Sequence, residues 1–128
     1  VYEGVSFSAK LILESLEKSS NCTNEEINCG GGGFQADIWN QIRANILNKK
    51  INRLSIKDPG ILGSVGIAGY GSGIFSNIDE AFNKMTSFDK FYEPDQTTKN
   101  YYSDFYEIFK NITDSNIKIS ENFSKFSK

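Results

Sequence analysis

Histidine is absent from this sequence of 128 residues. Its absence excludes catalytic triads that use histidine as the base, and every metal site with imidazole ligands. Cysteine is scarce as well: Cys22 and Cys29 are the only two, which is too few for a thiolate zinc site. A disulfide between them stays open as an alternative, although nothing else in the sequence is typical of a secreted chain.

Charge of one sign and long apolar runs are also lacking. The formal net charge is −2, which gives no electrostatic reason to expect a nucleic acid or an anionic membrane as a partner. No apolar segment approaches the about 20 residues that cross a bilayer, and no signal peptide follows Val1. Hydrophobic residues make up 38% and charged residues 23%, as in a globular domain. We therefore expect a cytoplasmic protein, and the missing initial Met indicates a fragment.

The first half of the sequence alternates between helical and extended patterns. Apolar residues at helix spacing predict helices over residues 4–18 and from Ala36 to about residue 48. Short extended stretches over residues 25–29 and 51–56 predict two strands. The order predicts an α/β fold with a short parallel sheet. Two strands do not make a stable sheet covered on both faces, so we expect part of a larger domain.

The second half is predicted to be mainly helical. A third helix begins at Pro59 and carries glycine at every third position from Gly60 to Gly69, which indicates that something packs close to its backbone. A capping pattern at residues 76–80 opens a fourth helix through Met85, and residues 91–95 form an extended link. A fifth helix carries an aromatic stripe that we interpret as core: Tyr102, Phe105, Tyr106 and Phe109. Residues 113–128 are expected to be a flexible tail or a frayed helix.

The strongest functional signal is the glycine run at residues 30–33, between a predicted strand and a predicted helix. Several backbone N–H groups can point at one ligand there, and the missing Cβ atoms allow close approach. This suits a nucleotide phosphate or ribose, and the alternative is a flexible turn without a ligand. It is not a P-loop, because no Gly-Lys-Ser or Gly-Lys-Thr follows. We interpret the second glycine run, residues 69–73, as the end of a helix.

The order of these motifs resembles one family. Gly31, Gly32 and Gly33, followed by Trp39-Asn40-Gln41-Ile42-Arg43-Ala44-Asn45, are similar to the adenosine motif of the FGGY carbohydrate kinases. That motif runs Gly-Gly-Gly, a few variable residues, then Trp-x-Gln-Ile-x-Ala-Asp. The resemblance continues through residues 58–69, 73–75 and 80–81 and through a closing segment at residues 91–106, and it is closest to xylulokinase-like members.

The resemblance implies a partial actin-like, ribonuclease H-like ATPase fold, with residues 1–128 forming the C-terminal portion of the second, ATP-binding domain. It implies ATP and Mg²⁺ as cofactors, with the sugar, the catalytic base and the Mg²⁺ ligands all held by an earlier part of the chain. The cofactor-binding residues it implies here are Gly31, Gly32, Gly33, Gln35 and Ala36. Ala36 stands where the family often has a polar residue that bonds adenine, so Gln35 or Asp37 would substitute for it.

Two other interpretations stay open at this point. The chain could be a nucleotide-binding module without catalysis, or an interaction domain whose glycine turn is empty. The sugar also stays open, since gluconate or another sugar-like substrate fits as well as xylulose. We further expect this chain to self-associate as a homo-oligomer, or to be held in solution by its tail folding back through Phe123 and Phe126.

Overall fold

The computed structural model describes residues 1–125, apart from the side chain of Ser124. In that part of the chain there are five α-helices and one three-stranded sheet. In chain order the elements are α1 (Tyr2–Ser20), β1 (Glu26–Cys29), α2 (Asp37–Leu47), β2 (Lys50–Leu54), α3 (Pro59–Gly71), α4 (Ile78–Met85), β3 (Phe88–Tyr92) and α5 (Lys99–Ser124). Two short 3-10 turns, Gly32–Phe34 and Gln96–Thr98, precede α2 and α5.

The sheet has the order β1-β2-β3 and is mixed. The predicted parallel pair is confirmed, because β1 and β2 run parallel with Cys29 opposite Arg53. The sheet also contains a third strand that the sequence did not predict, because β3 pairs antiparallel with β2 and brings Tyr92 opposite Ile51. Only Tyr92 is buried in β3, so the sequence carries no clear alternation from which a strand could be recognised.

Two clusters of buried residues hold the layers together. Cys29, Ala44, Ile51 and Tyr92 join α2 to the sheet. Burial raises the pKa of the Cys29 thiol to about 11, and both cysteines are free, so the disulfide left open above is not formed. The second cluster consists of Phe7, Ile46 and Tyr106, and it joins α1, α2 and α5.

The aromatic stripe of α5 is core only in part. Tyr106 is buried, its ring lies 5.9 Å from that of Phe7, and its hydroxyl donates a hydrogen bond of 2.7 Å to Glu14. Tyr102 and Phe109 pack against the same cluster. Phe105 is 47% exposed, so the interpretation of the whole stripe as core is wrong at this residue.

Much apolar surface of the helices is exposed. Ile12 of α1 is 62% exposed and Ile38 of α2 is 69% exposed, although the sequence pattern placed each on an apolar helix face. The buried residues of α1 are instead Ser6 and Phe7. These exposed apolar side chains are available to pack against further chain, as the expectation of a larger domain requires.

The C-terminal segment continues α5 through Ser124, so residues 113–124 are helical. Phe123 is 71% exposed and does not dock on the rest of the chain, which makes the predicted folding back through this residue wrong. Phe126 lies outside the described residues. Among the helices of residues 1–125, none combines the length and the apolar character that crossing a membrane requires.

Candidate functional site

The glycine run forms a tight turn between the carboxyl end of β1 and the start of α2. Gly31 has φ 102° and ψ 175°, in a region that side chains disfavour. The N–H of Phe34 donates to the Gly31 carbonyl at 3.1 Å, and the N–H of Gln35 donates to the Gly32 carbonyl at 3.3 Å. The first N–H groups of such a helical turn, those of Gly32 and Gly33, have no acceptor within the turn.

The two sides of this turn differ in how closely they are packed. A Cβ atom at Gly30 would lie 2.9 Å from a side-chain carbon of Leu54 and 3.0 Å from one of Pro59, so Gly30 is required by packing against β2 and α3. A Cβ atom at Gly31 or Gly32 would meet no atom within 4 Å. The turn therefore presents open backbone to one side, where a ligand can approach closely.

Two polar side chains of α2 hold the turn from its inner side. Asn40 is fully buried and donates from Nδ2 to the Phe34 carbonyl at 2.8 Å. Arg43 is 8% exposed and donates from Nη1 to the Gly33 carbonyl at 2.7 Å. Its guanidinium lies between two rings, 4.1 Å from the centre of Phe34 and 3.7 Å from that of Trp39. Burial lowers the pKa of Arg43 from its ordinary value. The sequence did not indicate that Asn40 and Arg43 are buried, because polar side chains in an amphipathic helix usually face the solvent.

The candidate adenine-binding residues differ in their exposure and in the partners that their side chains already have within the chain. Gln35 is exposed, and its Nε2 lies 3.4 Å from the Gly31 carbonyl. Ala36 is exposed and precedes α2 in an extended conformation without a side-chain cap. The carboxylate of Asp37 is engaged by Lys90, by the Tyr92 hydroxyl at 2.8 Å and by Arg53 at 3.3 Å. Of the two alternatives, Gln35 and Asp37, Gln35 is therefore the one whose side chain is available to a ligand.

The Asp37 carboxylate belongs to a charged cluster at the carboxyl ends of β1 and β2. Hydrogen bonds from Lys90 and Tyr92 hold the pKa of Asp37 below its usual range. Arg53 binds Asp89 through two hydrogen bonds, of 2.9 Å from Nε and 2.7 Å from Nη2, and this contact lowers the pKa of Asp89. The cluster fixes α2 and β3 to β2. It was not predicted because Asp89 and Lys90 lie on β3, a strand that the sequence pattern did not indicate.

The remaining residues of the tryptophan motif join α2 to its neighbours. Trp39 donates from Nε1 to the Ser6 hydroxyl at 3.3 Å, and its ring stacks on Tyr2 at 4.8 Å. Gln41 donates to the carbonyl of Glu93 at 2.7 Å. Asn45 replaces an aspartate of the motif, and its Oδ1 accepts the N–H of Asp95 at 2.9 Å. An amide oxygen supplies this acceptor as a carboxylate oxygen would.

The described residues can be compared with what each of the two implied cofactors, ATP and Mg²⁺, requires of its site. The open backbone of the glycine turn fits the adenosine or phosphate side of a nucleotide. Residues 1–125 contain no group of three or more acidic or thiol side chains that could hold a metal ion. These residues therefore offer no cluster of side-chain ligands for a metal ion.

Comparison with known proteins relates this chain to sugar kinases. The model of the FGGY family of carbohydrate kinases, C-terminal domain, matches residues 1–72. Xylulose kinase of Staphylococcus epidermidis is 27% identical over 88% of this chain and 22% of its own length. Xylulose kinase of Lactococcus lactis is 26% identical over 98% of this chain and 25% of its own length. The chain thus spans about a quarter of the length of these curated relatives.

Solved structures share the fold. Xylulose kinase from Lactobacillus acidophilus superposes with a TM-score of 0.78 and 23% identity, covering 98% of this chain and 25% of that one. Gluconate kinase from the same organism gives a TM-score of 0.75 and 23% identity, covering 90% and 23%. The predicted actin-like ATPase fold is confirmed by these neighbours. The family match covers more than half of the chain, which therefore belongs to the FGGY family of carbohydrate kinases as a C-terminal domain.

Proposed function

We propose that the protein carrying this domain is an ATP-dependent carbohydrate kinase, which transfers the γ-phosphoryl group of ATP to a sugar hydroxyl and releases ADP. This domain supplies the adenosine side of the nucleotide site. Gly31, Gly32 and Gly33 receive the nucleotide on open backbone, Gln35 bonds the adenine edge, and Ala36 lies against the base. No step is assigned to Mg²⁺ here.

The observation that carries this proposal is the turn at Gly31–Gly33. Its backbone is open on one side, Gly31 adopts a conformation that favours glycine, and α2 begins directly after it. Open N–H groups before a helix start suit an anionic ligand. A xylulose-like sugar is the substrate we propose, from the likeness to xylulose kinases. Gluconate is the runner-up, from the likeness to a gluconate kinase.

The alternative is a domain that binds a nucleotide without catalysis, or binds a partner only. Release of ADP from the complete protein, measured with xylulose, gluconate and no sugar, separates these functions. Release that depends on xylulose supports the proposal. Release that is equal with and without every sugar, while ATP still binds, supports the non-catalytic module.

The nucleotide role of the turn is tested by Gly32→Val. The structure leaves open space at this Cβ position, so the valine blocks the ligand without overpacking the protein. We expect the dissociation constant for ATP to rise by about tenfold or more. Gly71→Val is the matched control, because Gly71 is exposed at the end of α3 and also has open space around it. Unchanged ATP affinity in folded Gly32→Val would remove the assignment.

A further inference from the structure

We propose that Arg43 is a positioning residue for the nucleotide, which fixes the shape of the glycine turn from beneath it. This inference rests on the proposed function, since it assigns a role toward the same ligand. Arg43 does not touch the nucleotide in this assignment. It acts through Gly33, whose carbonyl it binds, and through Asn40, which binds the Phe34 carbonyl.

Hydrogen bonds hold two successive peptide groups of the turn, each at its carbonyl and at its N–H. In the first, the Gly33 carbonyl accepts from Arg43 at 2.7 Å and the Phe34 N–H donates to the Gly31 carbonyl at 3.1 Å. In the second, the Phe34 carbonyl accepts from Asn40 at 2.8 Å and the Gln35 N–H donates to the Gly32 carbonyl at 3.3 Å. A run of glycines has much conformational freedom, and these bonds remove it before the ligand arrives.

The pinning side chains are themselves held firmly. Arg43 Nη1 also donates to Asn40 Oδ1 at 3.0 Å, so the two residues orient each other. The guanidinium plane lies between Phe34 and Trp39, and Trp39 in turn stacks on Tyr2 of α1. A stack of four side chains therefore links the first helix to the turn.

The charge of Arg43 has no carboxylate partner within the described residues. Their ion pairs involve Arg53 and several lysines, but not Arg43. A buried guanidinium without a counter-ion is costly to keep, and an apolar side chain of similar length would avoid that cost. Its donors instead serve a backbone carbonyl beside the open face of the turn, where a Cβ at Gly33 would lie 3.7 Å from Nη2.

The test uses two variants in the complete protein. Arg43→Met keeps the aliphatic stem and loses every donor, so we expect the dissociation constant and KM for ATP to rise about tenfold. Arg43→Lys keeps the charge but loses the planar guanidinium that packs against the rings of Phe34 and Trp39, so we expect a rise of about threefold. The KM for sugar and the kcat at saturating ATP should stay within about twofold of the wild type in both.

Ile46→Ala is the control for lost stability alone. Ile46 is buried in the same helix, in the cluster with Phe7 and Tyr106, and that cluster contains no residue of the turn. We expect it to lower the melting temperature and to leave ATP affinity unchanged. Equal weakening of ATP binding in Ile46→Ala would overturn the inference, as would folded Arg43→Met with ATP affinity within about twofold of the wild type. If Arg43→Met does not fold, unchanged ATP affinity in Arg43→Lys overturns it.

Failure of this inference is distinguishable from failure of the proposed function. ATP binding weakened by Gly32→Val but not by the Arg43 variants removes the positioning role and leaves the nucleotide site. ATP binding weakened by neither removes both.

Discussion

The ring of Phe75 lies directly against the backbone of Gly69, where two of its carbons would be 2.6 Å from a Cβ atom. Phe75 reaches this position because the chain turns back after α3. Its N–H and that of Ile74 both donate to the Gly69 carbonyl, at 3.2 and 2.8 Å. The glycine at this position is therefore required by contact with the turn that ends α3.

Gly63 and Gly69 should respond oppositely to alanine. Gly63 lies within α3 with no atom within 4 Å of a Cβ position, so Gly63→Ala should stabilise the chain by about 0.5–1 kcal/mol through helix propensity. Gly69→Ala should destabilise it by about 1–3 kcal/mol, because the Phe75 ring must move. Thermal or urea unfolding of the chain measures both. Shifts of the same sign would contradict this account of the helix.

The same helix illustrates what glycine spacing can predict. The spacing predicted that something packs close to the backbone of α3, and this is confirmed at Gly66, where a Cβ would lie 3.6 Å from that of Ala81 in α4, and at Gly69. Gly63, by contrast, has open space around it. A glycine in the sequence shows where another element can approach the helix backbone closely. Which element approaches depends on the tertiary structure.

The pairing of Glu80 should make stability depend on pH. A hydrogen bond from Lys84 and one from the Ser76 N–H lower the pKa of Glu80 from 4.5 to about 2. The unfolded chain therefore binds this proton more tightly than the folded chain. The stabilisation is present above the ordinary pKa and is lost as the pH falls from about 4.5 toward about 2.

Urea unfolding across this pH window tests the linkage. Glu80→Gln should flatten the rise of the free energy of unfolding with pH, relative to the wild type. Lys84→Met should flatten it in part, because the Ser76 contact remains. An identical pH profile for the wild type and Glu80→Gln would show that the pair does not act in the folded state.

Only the open face of the candidate site, which the glycine turn forms, could be predicted from the sequence. The spacing of Gly31, Gly32 and Gly33 before a helix was sufficient to locate an open turn, because glycine is selected by backbone conformation and close approach. Asn40 and Arg43 were not recognised, since a polar residue within a helix is usually solvated and nothing in the spacing indicates burial. The Asp37 contacts depend on Lys90 and Tyr92, and their strand was not recognised.

The 128-residue chain alone should not phosphorylate any sugar. It supplies one wall of the proposed nucleotide site, and phosphoryl transfer also needs a metal ion, a base and a positioned acceptor hydroxyl. A coupled assay of ADP release, with xylulose and gluconate as substrates and the complete protein as the positive control, measures this. Turnover by the isolated chain that depends on sugar and clearly exceeds the background would contradict the assignment of the domain.

The isolated chain should self-associate. The surface of α3 exposes four apolar side chains, and the outer edge of β1 has no neighbouring strand in the part of the chain that the structure describes. Exposed strand edges and apolar patches of this kind bind further copies. The exposed apolar residues of α3 are Ile61, Val65, Ile67 and Tyr70.

Light scattering across a concentration series measures this association. The average mass should rise with concentration, and the double variant Val65→Lys with Ile67→Lys should reduce the rise because charge replaces exposed apolar surface. Deletion of residues 114–128 should leave the association in place, since Phe123 is exposed and covers neither surface. A chain that stays monomeric over the whole series would mean that these faces do not bind one another in water. The double variant would then behave as the wild type does.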